Sequence, residues 1–499
     1  MDTIESLLFD ICKHQLNEMK MMKHSLLFLL FVGAISCTSA QKTQQTEEKQ
    51  PNIVLLFVDD YGWADLEGRK ESFQTPNISQ LKTESMEFTR AYIPTPTCSP
   101  SRASMLTGKE AARLQMPRHI PHEHEDGSNT KEFHKWETDP VRRGSRNWLP
   151  LEEITYAEKL KEFGYYNAFI GKWHLGHEPY HPIHQGFDEQ IGVSNYGHPR
   201  SYYPKFFKDN NAYTEFDDKK GVYLTDVMTD TTIHFLENYD KDQPFMLSVW
   251  YYTVHGPHIG KKELIQKYLD QGMNQKYAEY HAMVECLDIS VGKIMATLKR
   301  LNMDDNTMVI LTSDQGGFFE NGPLAGGKRQ NTLGEGGARV PMFIKYPKMI
   351  EAGSECNTPI QTIDLFPTFM EVASGKKYTD ENIQGKSIIP LLQGKEIEER
   401  NLYFMRSYED QYAAIMNGDW KLKKYHSGKF ELFNVVDDIS EKNNLVQTET
   451  KRVEQMKKEL LAWEEEVYAG WDEVTEENSY IYLLPKNKKR EKKRLEAIK

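Results

Sequence analysis

The segment Ile53-Val54-Leu55-Leu56-Phe57-Val58 is apolar at every position. A strand sends alternate side chains to opposite faces, so this run has no polar face to give to water and belongs inside a sheet covered by helices on both sides. Similar short runs follow at Ala168-Phe169-Ile170, Phe245-Met246-Leu247-Ser248-Val249-Trp250, Met308-Val309-Ile310-Leu311 and Met342-Phe343-Ile344. Helical patterns lie between them. One runs from Thr155 to Phe163, stopped by Gly164. Another runs from about Lys276 to Leu301, with Tyr280, Val284, Leu287, Val291, Ile294 and Leu298 at three- and four-residue spacing. This alternation predicts the α/β class, with a doubly wound, mostly parallel central sheet flanked by helices. After about residue 400 the pattern changes to Ala413-Ala414-Ile415-Met416, Trp420-Lys421-Leu422 and Phe430-Glu431-Leu432-Phe433. These runs are separated by the turns Asn417-Gly418-Asp419 and Ser427-Gly428. They predict a short antiparallel sheet on which a helix from about Thr450 to Val467 packs, a smaller α+β subdomain.

With 499 residues, 39% of them hydrophobic, the chain has apolar mass for one large core and a smaller appendage. A net charge of −12 argues against a nucleic-acid partner, which needs a basic face to displace counterions. Lys20 and Lys23 precede an apolar run from Ser25 to Ile35 that is too short to span a bilayer comfortably, so residues 1–40 read as an export segment. Ala34-Ile35-Ser36-Cys37 resembles a lipoprotein processing site that would place a lipid on Cys37, the chain's expected route to a membrane. Thr38-Ser39-Ala40 offers ordinary signal cleavage instead, and the translation start is expected at Met1 or at an internal Met19, Met21 or Met22. The expected location is the periplasm or the cell surface. Residues 41–50 read as a polar linker, 51–399 as the α/β domain, 400–485 as the C-terminal subdomain and 486–499 as a basic, solvated tail. Of five cysteines, Cys12 and Cys37 fall in the export region. Cys98, Cys286 and Cys356 allow at most one bridge, so the core must hold the fold.

In an open parallel sheet, ligands bind outside the carboxyl ends of the strands. The first strand ends in Asp59-Asp60 and the Met308 strand in Asp314-Gln315, which brings oxygen-bearing side chains to one edge. Either pair alone reads more readily as ordinary loop residues. Together they suit a hard cation, calcium or magnesium, in preference to zinc. Cys98 lies in Pro96-Thr97-Cys98-Ser99-Pro100-Ser101-Arg102, at the start of a short helix that Gly108 would end. That position offers free backbone N–H groups to an anion, although a lone cysteine there is more often simply a small buried residue.

The pattern C-x-P-S-R followed by Leu106-Thr107-Gly108 resembles the signature at which type I sulfatases, arylsulfatase-like members of the alkaline phosphatase superfamily, convert cysteine to formylglycine. The resemblance extends from Asn52 to about Leu445. It matches Asp59, Asp60 and Asp314 to calcium ligands, Arg102 to the activating arginine, and Gly171-Lys172-Trp173-His174-Leu175-Gly176 to the second signature. It further matches His255-Gly256-Pro257-His258 to the histidine segment and Lys328 to the late lysine. Each segment alone is a weak signal; six in family order carry the resemblance jointly. Gln315 departs from the Asn or His that many members place after the aspartate.

The resemblance implies a bacterial polysaccharide sulfatase dependent on one calcium ion and matured by a formylglycine-generating enzyme. The aldehyde made from Cys98 would hydrate to a gem-diol that meets the metal and attacks sulfur. Calcium would be held by Asp59, Asp60, Asp314 and Gln315. Arg102 would orient the diol, and Lys172, Lys328 and His255 would neutralise developing charge. His255 or Lys328 would protonate the leaving oxygen, and His174 would serve as the base of the second step.

The stretch Arg113 to Leu149 contains His119, His122, His124, His134, Trp136, Arg142, Arg143, Arg146 and Trp148. Read as a long loop, it offers rings and guanidinium groups to a sulfated carbohydrate, such as fragments of ulvan, carrageenan or glycosaminoglycan. A zinc site at His122-Glu123-His124 is the remoter reading. Two other functions fit parts of the sequence: a phosphoesterase or phosphonate hydrolase on the same fold, and a non-catalytic polysaccharide-binding lipoprotein.

Overall fold

The computed structural model describes residues 49–70, 72–208, 212–319 and 321–483. The export segment with Cys37 and the basic tail lie outside them. The elements named here belong to the unit Gln50–Lys499.

Eight strands form the central sheet: β1 (Asn52–Val58), β2 (Met86–Phe88), β3 (Tyr166–Gly171), β4 (Glu189–Ile191), β5 (Phe245–Trp250), β6 (Thr307–Ser313), β7 (Met342–Lys345) and β8 (Glu355–Cys356). Their order across the sheet is β8-β2-β7-β6-β1-β5-β3-β4. Only β7 runs against the others. The apolar run Met342-Phe343-Ile344 therefore belongs to the sheet but not to its parallel part. Burial on both faces explains its composition equally well in either direction.

The first strand shows why no polar face was available. Ile53, Leu55 and Phe57 enter one core with Ala103, Met105 and Leu106 of the helix Cys98–Thr107 and Phe366 and Phe369 of the helix Leu365–Ser374. Val54, Leu56 and Val58 enter the opposite core with Leu224 and Met228 of the helix Leu224–Asn238 and Val284, Leu287 and Val291 of the helix Gln275–Arg300. Each such side chain, fully buried, contributes about 1.5–3 kcal/mol. The predicted helix after Thr155 spans Tyr156–Glu162 and starts in a capping box: Glu158 N–H donates to Thr155 Oγ1 at 3.1 Å, and Thr155 N–H donates to Glu158 Oε2 at 2.8 Å.

A separate antiparallel sheet follows, β9 (Asn401–Tyr408), β10 (Gln411–Asn417), β11 (Trp420–Tyr425) and β12 (Phe430–Asn434), in that order. The helix Thr450–Ala469 covers it with Val453, Met456, Leu460, Trp463 and Val467, a three- and four-residue spacing that meets Ala413, Ile415, Leu422 and Leu432. Buried Glu335 ties this sheet to the larger domain, accepting from Lys421 Nζ at 3.1 Å and from Tyr92 OH at 2.8 Å.

The stretch Arg113 to Leu149 is not one long loop. Its segments Phe133–Trp136 and Gly144–Arg146 pair antiparallel, and Ser479–Tyr482, far along the chain, adds a third strand parallel to the first. Cys98, Cys286 and Cys356 are free thiols. Among the described residues no helix is long and apolar enough to cross a membrane.

Candidate active site

Register at the carboxyl edge assembles the site. Val58 of β1 pairs with Ser313 of β6, so Asp59-Asp60 and Asp314-Gln315 leave the sheet side by side. On the other flank Phe57 pairs with Trp250 of β5, and Gly171 of β3 pairs with the same Trp250. Those strands deliver His255 and Lys172-Trp173-His174 to the same edge. Gly171 is required there: its φ is 108°, and a Cβ would lie 2.3 Å from the Trp250 carbonyl oxygen. Cys98 opens the helix Cys98–Thr107, which Gly108 ends in the left-handed region with φ 69°.

The side chains interlock. Lys172 Nζ donates to Asp59 Oδ2 at 2.6 Å, and Lys328 Nζ donates to Asp60 Oδ2. Arg102 Nε donates to Asp314 Oδ2 at 2.9 Å, its Nη2 lies 2.8 Å from the same oxygen, and Nη1 donates to the Lys172 carbonyl at 2.8 Å. Gln315 Nε2 donates to Asp60 Oδ1 and reaches Cys98 Sγ at 3.3 Å. His255 Nε2 lies 3.8 Å from Asp60 Oδ2. Of the residues predicted for the site, all of these meet in one cluster. His174 lies near enough to the cluster for the charges of Lys172 and Arg102 to act on its ring, and its backbone N–H donates to Ser194 O at 3.3 Å.

Carboxylate oxygens of Asp59, Asp60 and Asp314 lie within 4.8 Å of one another, and Asp59, Cys98 and His255 form a second such group. Burial raises the carboxyl pKa of each of the three aspartates, with the neighbouring carboxylates adding to it. A bound cation reverses both effects. Asp59 Oδ1 and Gln315 Oε1 are buried without a hydrogen-bond partner, and a half-turn of the Gln315 amide exchanges its oxygen for the nitrogen now facing Asp60. The donor set therefore fits a hard divalent ion.

Two histidine tautomers follow from their partners, since a carbonyl only accepts. His174 Nε2 donates to Ile120 O at 2.8 Å, which leaves Nδ1 as a lone pair, buried and without a partner. His255 Nδ1 donates to Gly256 O at 2.6 Å, which leaves the lone pair of the neutral ring on Nε2. Burial pushes both imidazoles well below the usual histidine range, helped by Lys172 at His174 and by Lys328 and Lys172 at His255.

Residues 51–376 match the family described as Sulfatase. The chain belongs to the sulfatase family. It is a sulfuric ester hydrolase. Residues 329–466 of this sulfatase also match the family described as N-sulphoglucosamine sulphohydrolase, C-terminal. It is 30% identical over 417 residues to the N-acetylgalactosamine-6-sulfatase of Mus musculus, covering 79% of this chain and 74% of that protein. It is 28% identical over 515 residues to a sulfatase of Formosa agariphila, covering 86% and 90%. Among solved structures, Ps i-CgsB in complex with k-i-k-neocarrahexaose superposes with a TM-score of 0.72 at 28% identity, over 83% of this chain and 93% of that one.

Most of the rings and cations expected to meet substrate from Arg113 to Leu149 are spent on packing in this sulfatase. His134 is fully buried and bonded to Asn147 at 2.8 Å, and Trp148 stacks on Tyr180 at 4.7 Å. Arg143 lies over Tyr468 at 4.2 Å, and Arg146 pairs with Glu132 and Asp472. Only His134 and Arg146 of these stand on strands of the three-stranded sheet; Arg143 and Trp148 lie in the chain beside it and stay half-buried. Among the described residues no cluster of metal-ligating side chains includes His122 or His124; His122 packs edge-on against Tyr196. His119 remains near the site, its ring 6.5 Å from His174. Sequence reasoning missed Ser99, whose Oγ accepts from Ile120 N–H at 3.1 Å and so fixes the carbonyl that holds His174. It also missed Gly197 and His198, which lie in irregular backbone with no pattern to mark them.

Proposed function

We propose that this sulfatase removes sulfate from a carbohydrate, using a formylglycine made from Cys98 and one calcium ion held by Asp59, Asp60, Asp314 and Gln315. The observation that carries the reading is Cys98 at a helix start, against three buried carboxylates and three buried or half-buried cations. Conversion puts oxygen on the carbon that now bears Sγ, so the neighbours of Sγ are the groups that meet the nucleophile. Calcium held there would lower the pKa of that hydroxyl and draw charge from the sulfuryl oxygens.

The chain's own groups take the remaining roles. Arg102, anchored on Asp314 and the Lys172 carbonyl, orients the hydrated aldehyde. Lys172 and Lys328 neutralise charge as it develops. The neutral His255 tautomer has no proton on Nε2, which favours the Lys328 ammonium as the acid for the leaving alcohol. His174 Nδ1 is the base that takes the last hydroxyl proton when sulfate departs. Gly197 makes room for that ring: a methyl there would come within 2.5 Å of His174 Cε1 and 3.0 Å of Nε2. Gly197→Ala is expected to cut turnover about 10²-fold and to cost about 1–3 kcal/mol of stability; an unchanged rate would show that the ring does not need the space.

A carbohydrate substrate is supported by relatives named for N-acetylgalactosamine 6-sulfate and by a structural neighbour holding a carrageenan oligosaccharide. The export segment supports a periplasmic or cell-surface lipoprotein anchored through Cys37, with a formylglycine-generating enzyme as maturation partner. The decisive experiment measures sulfate release from a panel of sulfated oligosaccharides, using protein whose aldehyde has been verified, with Cys98→Ala beside it. Release from at least one substrate, absent in the variant, is expected. A matured protein that cleaves phosphate esters and no sulfate ester would overturn the reading.

A further inference from the structure

One segment outside the recognised motifs touches both histidines of the site. Ser194 O accepts the His174 backbone N–H, and Gly197 lies against the His174 ring. The next residue, His198, stacks on His255 with ring centroids 5.3 Å apart and planes 8° from parallel. His198 is exposed, whereas the side chain of His255 is 16% exposed and Asp60 is fully buried. Asp60, His255 and His198 thus form a succession of neighbours from buried carboxylate to exposed ring.

His198 Nδ1 donates to Pro199 O at 2.8 Å. That bond fixes the neutral ring as the Nδ1–H tautomer and leaves a lone pair on Nε2. The ring is held by its stack on one side and its carbonyl bond on the other, so little conformational freedom remains to be lost when Nε2 gains a partner.

We propose that His198 is a specificity-determining residue that accepts a hydrogen bond through Nε2 from a hydroxyl of the sugar bearing the scissile ester. The inference rests on the reading that Cys98 and the carboxylate cluster take the sulfate of a carbohydrate. With the sulfuryl group at the carboxylate cluster, an alcohol half that extends toward solvent on the His255 side comes beside the exposed His198 ring stacked there. A sugar offers hydroxyl donors at that point; an aryl ester offers none.

The test uses whichever sulfated oligosaccharide the matured full-length enzyme cleaves, its desulfated product as inhibitor, and 4-nitrophenyl sulfate as an ester without sugar hydroxyls. His198→Phe keeps a ring on His255 and removes the acceptor; His198→Ala removes both. In both variants KM for the sulfated sugar and Ki for the desulfated product are expected to rise about three- to tenfold. In His198→Phe, kcat and the rate on 4-nitrophenyl sulfate are expected to stay within about twofold of wild type. A fall in kcat with KM and Ki unchanged, restored by His198→Phe, would make His198 a mere support for His255. Unchanged kinetics in both variants would also overturn the proposal. Absence of sulfate release by the wild-type enzyme from every sugar, with the aldehyde verified, would be a failure of the parent reading instead.

Discussion

Cys98→Ser is expected to cleave at most one equivalent of sulfate ester and then stop. Serine replaces a residue that is 6% exposed with one of nearly the same size, so the fold should be kept to within about 1 kcal/mol. Its Oγ would stand where Gln315 Nε2 now reaches Sγ at 3.3 Å, in the same field of lysines and arginine. Attack would form an Oγ–sulfur bond and break the bond from sulfur to the sugar oxygen, which leaves with a proton. The serine sulfate so formed carries no second hydroxyl on its carbon. His174 Nδ1 then has no proton to take, sulfate cannot be eliminated, and turnover falls on the order of 10³-fold or more. Intact-mass measurement should find one added sulfuryl group, and peptide mapping should place it at the start of the helix Cys98–Thr107. Cys98→Ala should be equally slow and carry no label. Wild-type turnover by the serine variant would exclude the formylglycine route.

The sequence revealed most where burial leaves a pattern. The runs in β1, β5 and β6 and the helices Tyr156–Glu162, Gln275–Arg300 and Thr450–Ala469 were readable because apolar spacing follows the periodicity of the element. Strands of two or three residues, such as β2, β4 and β8, owe their conformation to the neighbour they pair with and carry no spacing of their own. The same holds for Phe133–Trp136 and Ser479–Tyr482, whose pairing spans most of the chain. Direction was equally hidden: Met342-Phe343-Ile344 is as apolar as the parallel runs and lies antiparallel. In the candidate site, Asp59, Asp60, Asp314 and Gln315 could be named in advance because the strand ends were legible, whereas Arg102, Lys172, His174, His255 and Lys328 were named through the family resemblance. Ile120 contributes a carbonyl, Ser99 a hydroxyl that holds Ile120, and Gly197 an absence of side chain. None of these roles depends on a residue type that stands out in a sequence.

The charge balance of the site leads to the second large effect. Asp59, Asp60 and Asp314 face Arg102, Lys172 and Lys328, three carboxylates against three cations. A divalent ion among them gives an excess positive charge, which is what an incoming sulfate ester needs. Asp314 does two jobs in this set: Oδ2 holds Arg102, and Oδ1 accepts the Asp60 backbone N–H at 3.2 Å. Asp314→Ala leaves the fully buried guanidinium of Arg102 without its closest carboxylate and should cost about 3–5 kcal/mol of stability together with activity. Asp314→Asn keeps the first job, because the amide oxygen can still accept from Arg102, while the charge is gone and an NH2 group that cannot accept now faces the Asp60 N–H. Wild-type enzyme stripped with EGTA should melt lower and recover on adding calcium, by up to about 4 kcal/mol at a thousandfold excess over Kd. In Asp314→Asn that calcium-dependent rise should largely vanish, and sulfate release should fall with it. A variant that keeps the full calcium shift would make Asp314 an anchor for Arg102 and not a ligand. A wild-type enzyme that responds to magnesium and not calcium would change the ion while leaving the carboxylate set in place.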